Sequence, residues 1–88
     1  MLTIEDVYRR LCLEHINEQY ELSISDDKTL LMLKISDSLQ LTADDDMIAV
    51  ARRKSLFGVP YDRVDHTHYA DFEDLYQQLL TYLSADAT

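Results

Sequence analysis

Ala43-Asp44-Asp45-Asp46-Met47-Ile48-Ala49-Val50-Ala51-Arg52-Arg53-Lys54-Ser55-Leu56-Phe57, residues 43–57, is the stretch on which the architecture of this chain turns. It reads two ways. As a helix, Thr42 caps it, Asp44, Asp45 and Asp46 sit at the positive end of the dipole, Arg52, Arg53 and Lys54 at the negative end, and Gly58 follows as a stop. As a strand, Ala43 to Asp46 forms a turn and Met47 to Ala51 folds back onto Leu39 to Thr42, but without the polar alternation of a half-exposed strand. The matched charges at the two ends favour the helix slightly over the strand.

Working outward, the elements on either side are better signalled. Thr3 with Asp6 three residues on forms a capping pattern, and Ile4, Val7, Tyr8, Leu11, Cys12 and His15 share one face of a helix expected over 4–19. Leu13 and Ile16 lie outside that stripe, which implies cover on a second side or a contact with another chain. Residues 20–36 read as a hairpin turning at Asp26-Asp27-Lys28, its return strand apolar on both faces and therefore central. Leu39 to Thr42 adds a short third strand, and Tyr61 to Ala70 reads as irregular or extended. Asp71, followed by Asp74, starts a C-terminal helix whose apolar sector includes Phe72, Leu75, Tyr76, Leu79 and Leu83. The expected fold is α+β, a single small domain over 1–88 with an antiparallel three- to four-stranded sheet packed by the N-terminal and C-terminal helices; residues 84–88 are expected to fray.

Composition narrows the function classes. Eighty-eight residues hold one core, with no room for a cofactor domain beside a substrate domain. One cysteine excludes an intramolecular disulfide and a multi-cysteine zinc site, and no apolar run approaches the length of a membrane span, so the expectation is a cytoplasmic protein with no membrane partner and no cofactor. The net charge is −9, which opposes direct binding of nucleic acid and favours a protein partner with a basic surface. Residues 52–63 depart from this. They hold four of the eight basic residues against one acid, with the only glycine and the only proline.

No catalytic set is visible. Asp65-His66-Thr67-His68 places His66 and His68 on one side of an extended segment, a low-grade candidate metal pair lacking an evident third ligand. His15 reads as a histidine at the edge of the core and Cys12 as a small buried hydrophobe. Twelve of the seventeen acids are Asp; Asp26, Asp27, Asp37, Asp44 and Asp71 sit at expected turns or caps, but the cluster Asp44, Asp45 and Asp46, together with Asp62 and Asp65, is not explained that way. Carboxylates at strand or helix-turn spacing roughly match phosphate spacing, so an acidic domain is able to mimic nucleic acid, as small phage-type anti-defence inhibitors do.

These residues imply a non-enzymatic interaction protein, a regulator, inhibitor or adaptor that binds a larger protein. The expected contact residues are Asp44, Asp45, Asp46, Arg52, Arg53, Lys54, Phe57 and Tyr61, with Leu56 to Tyr61 as a contact loop. The alternatives are a metal-binding or histidine-dependent protein using Asp65 to His68, and a homo-oligomeric subunit such as a homodimer.

Overall fold

Thr3 and Asp6 close a capping box at the start of α1 (Ile4–Leu13): the Asp6 N–H donates to Thr3 Oγ1 at 3.3 Å and the Thr3 N–H to Asp6 Oδ2 at 2.8 Å. The helix is shorter than expected. His15 takes a left-handed conformation, φ 62°, which histidine adopts more readily than most residues, and a one-turn helix α2 (Ile16–Gln19) follows at a new angle. That break turns Ile16 onto the core and leaves Leu13 79% exposed, which resolves the two residues outside the apolar stripe. His15 itself is exposed and pairs with Glu18 at 2.8 Å, so it does not lie at the core edge.

Five strands follow in a computed structural model that describes residues 2–86: β1 (Glu21–Ile24), β2 (Leu31–Ser36), β3 (Leu39–Ala43), β4 (Met47–Leu56) and β5 (Val59–His68). They form one antiparallel sheet in chain order, β1-β2-β3-β4-β5. The α+β class and the hairpin at 20–36 hold, with β2 inside the sheet as its two-sided apolar pattern requires. The strand count is five rather than three or four.

The helix favoured for 43–57 is not formed. Asp44 is the reason: its carboxylate accepts the N–H groups of Asp46 and Met47, both at 2.8 Å, closing a tight turn between β3 and β4. Met47 then starts a strand that buries Ile48 and Val50 on one face. The missing polar alternation has a simple source. Ala49 and Ala51 fill the outward positions, so the two faces differ in side-chain size rather than polarity. Tyr61 to Ala70, read as irregular or extended, is extended as far as His68 and supplies most of β5.

The core lies on one face of the sheet. Leu31, Leu33, Leu41 and Ile48 meet Leu11 of α1 and Leu75 and Leu79 of α3 (Phe72–Asp86), all at most 1% exposed. Asp71 caps α3, accepting the Asp74 N–H at 2.8 Å. The helix takes in Ser84 to Asp86 of the end expected to fray; residues 87 and 88 lie outside the described residues. Arg10 joins the two helices, pairing with Glu73 and lying 3.8 Å over the Tyr76 ring.

Because Leu33 is fully buried in β2 between β1 and β3, Leu33→Ala should lower the unfolding free energy by about 2–5 kcal/mol, read as a fall in urea midpoint at unchanged m value.

Candidate functional site

Beyond the end of β3 the sheet narrows to two strands. β3 pairs with β4 only from Ile48 to Arg52, whereas β4 and β5 pair with each other from Met47↔His68 to Leu56↔Val59. The surplus, Arg53 to Asp62, projects as a two-stranded arm, and the molecule measures 47 × 25 × 24 Å. A two-residue loop closes it: Phe57 and Gly58 both have positive φ, 53° and 80°, as a tight hairpin turn of the twist-matched kind requires. Gly58 meets that demand freely. Phe57 does not, because a bulky side chain in the left-handed region is strained.

Every residue from 52 to 66 is exposed. The arm's apolar side chains are uncovered, Phe57 at 96%, Val59 at 63% and Leu56 at 58%. Directly opposed residues share a face, so Arg52, Lys54 and Leu56 lie with Arg63, Tyr61 and Val59, on the extension of the face that holds Ile48 and Val50 under the helices. The cations are unequally engaged. Arg53 pairs with Asp62 at 3.4 Å and Arg63 with Asp65 at 3.3 Å, while Arg52 and Lys54 make no ion pair among the described residues. Two unpaired cations therefore stand beside three exposed apolar side chains.

Asp44, Asp45 and Asp46 sit at the other end of β4, roughly 30 Å away at about 3.4 Å per strand residue. The eight expected contact residues are thus split between two ends, with Arg53, Lys54, Phe57 and Tyr61 on the arm and Arg52 at its root, and three at the turn. Beside the turn lies a surface hollow of about 560 Å³. Leu2, Tyr69 and Phe72 give it an apolar floor, and Asp45, Asp46 and Asp71 an acidic rim. Tyr69 and Phe72 have ring centroids 5.9 Å apart, and the Tyr69 hydroxyl donates to the Asp44 carbonyl. Burial, followed by the charges of Asp44, Asp45 and Asp46, pushes the Tyr69 phenol up to about 12.

Leu2, Tyr69 and Phe72 escaped the sequence reading, because the hollow is assembled from three separate segments. His66 and His68 do share the uncovered sheet face, opposite Ala49 and Met47. Among the described residues no group of three or more His, Cys, Asp or Glu side chains is placed to hold a metal ion. Cys12 is half-buried. No helix among the described residues is long and apolar enough to cross a membrane. Comparison with family models, with curated proteins and with solved structures finds no match.

Two outcomes follow from this geometry. Phe57→Asn puts Asn-Gly in the turn and should relieve strain, raising stability by about 1 kcal/mol with a corresponding rise in Tm by calorimetry. Tyr69 holds its proton more tightly folded than unfolded, so its contribution to stability is complete below pH 10 and is lost as pH rises toward 12. In an absorbance titration of the phenols, Tyr69→Phe should delete a phase near pH 12.

Proposed function

We propose that this chain is a non-enzymatic interaction protein that binds a larger protein through its arm. The observation that carries this reading is the 96% exposure of Phe57 at the tip. An aromatic in a strained turn, flanked by Leu56 and Val59 and touching no core, lowers solubility and stability unless something covers it. Arginine and aromatic side chains at the centre of a patch are the usual anchors of protein interfaces.

The arm also specifies the partner's chemistry. Residues 52–63 carry +3, so the rest of the chain holds −12 of the total −9. An acidic surface with an apolar cleft attracts the arm and repels the body, which orients the molecule tip first on approach. This is the reverse of the basic partner that net charge alone suggests. Mimicry of nucleic acid draws less support from the geometry, since Asp44 spends its carboxylate on the turn and leaves Asp45 and Asp46 at one corner.

The test is affinity capture from extracts of the source cells at low salt, with variants checked for fold by circular dichroism. Phe57→Ser, and the pair Arg52→Glu with Lys54→Glu, should each reduce the bound protein by about tenfold or more. Equal capture by parent and arm variants would overturn the proposal. Loss of capture on adding duplex DNA, with the arm variants behaving as parent, would replace it with mimicry.

A further inference from the structure

The groove that the arm calls for is present on the same chain. Resting on the reading of the arm as the binding element, we infer that one partner is a second copy of this chain, each copy seating its arm tip in the acid-rimmed hollow beside Tyr69 and Phe72 of the other. Three observations lead there. The hollow's floor, formed by Leu2, Tyr69 and Phe72, is apolar and open, with Leu2 54% exposed; a neighbouring hollow of about 260 Å³ that shares Leu2, Asp45 and Phe72 lengthens it into a groove. The rim and the arm have opposite charge, Asp45 and Asp46 against Arg52 and Lys54, and none of these four side chains is engaged in an ion pair among the described residues. Finally, arm and groove lie at opposite ends of a molecule 47 Å long.

That last placement selects the symmetry. One chain cannot fold its own arm back into its own groove, because β4 is a continuous strand between them. Two copies side by side and antiparallel bring each tip beside the other's groove, so a single two-fold axis makes both junctions together. The second junction then forms at high effective concentration, and two individually weak contacts hold one dimer. Burial comes first in raising the Tyr69 phenol, and the negative field of Asp44, Asp45 and Asp46 that adds to it acts on the incoming Arg52 and Lys54 in the favourable sense. Pairing also covers Phe57, Leu56 and Val59, the residues whose exposure is otherwise unexplained.

Sedimentation velocity on the full chain decides it. At about 50 mM salt the parent should pass from monomer to dimer with concentration and stop there, and about 500 mM salt should shift it back toward monomer. Phe57→Ser on the arm, and Asp45→Lys with Asp46→Lys on the groove, should each weaken pairing by about tenfold or more while keeping the parent's circular dichroism. A mixed pair of the two variants keeps one intact junction and places both defects in the other, so the mixture should pair more weakly than the parent. A parent that stays monomeric, one that grows past the dimer, or a mixture that pairs as tightly as the parent overturns the inference. The reading of the arm fails separately. If arm variants lose capture of other proteins while the parent is monomeric, the arm stands and self-pairing falls; if parent dimers persist unchanged in the arm variants, self-pairing through the arm falls whatever is captured.

Discussion

Two hydrogen bonds to one carboxylate set the plan of this molecule. Asp44 accepts the N–H groups of Asp46 and Met47, and everything downstream takes its register from the turn they close. With the turn in place, Met47 faces out and Ile48 in, so Ile48 and Val50 reach the core opposite Ala43 and Leu41. A slip of one residue would send both to the open face and put Ala49 and Ala51 beneath the helices. Those two bonds also hold the Asp44 carboxyl below the ordinary carboxylate range, since the charged form accepts them better. The turn is thus anchored at neutral pH by the ionised side chain that makes it.

The same register decides where the cations go. β4 continues four residues past the end of its pairing with β3; Arg53 still donates its N–H to the Ser38 carbonyl at 2.9 Å, and Lys54 to Leu56 have β5 as their only strand neighbour. An isolated two-stranded ribbon is marginal in water. This one persists because its root is part of a five-stranded sheet whose packed face is closed by α1 and α3. The body supplies the stability and the arm spends none of its side chains on the core, which leaves them free for another surface. Division of labour of this kind separates substitutions that unfold the domain from those that disarm it.

How much of this the residues disclosed depended on where competing signals met. The capping box at Thr3, the Asp71 cap and the apolar sector of α3 are local and uncontested, and the structure has them. Residues 43–57 are different, because an Asp triplet followed by an apolar run and three cations serves equally as a capped helix or as a turn, a strand and an exposed arm. Ala49 and Ala51 removed the polar alternation that would have decided it. The turn at Phe57-Gly58 was hidden too, since the usual residue before glycine in such a turn is Asn or Asp. The groove was beyond reach for another reason: Leu2, the Asp45-Asp46 pair and the Tyr69 to Phe72 stretch are far apart along the chain and meet only in the fold.

The departure from turn chemistry at Phe57 links stability to function. Asn at this position satisfies the positive φ with a short polar side chain, so a sequence selected for folding alone has little reason to hold Phe there. Phe57 contributes nothing to the core, with 96% of its surface in water, and it adds strain to the backbone that carries it. On the proposed reading, a residue that is locally unfavourable on both counts acts on something outside the monomer. The charge pattern agrees, because Arg52 and Lys54 make no ion pair among the described residues, while Arg53 pairs with Asp62 and Arg63 with Asp65. Strain, exposure and unpaired charge meet on one end of one hairpin, and the proposed contact would cover the aromatic, pair the cations and so offset the strain.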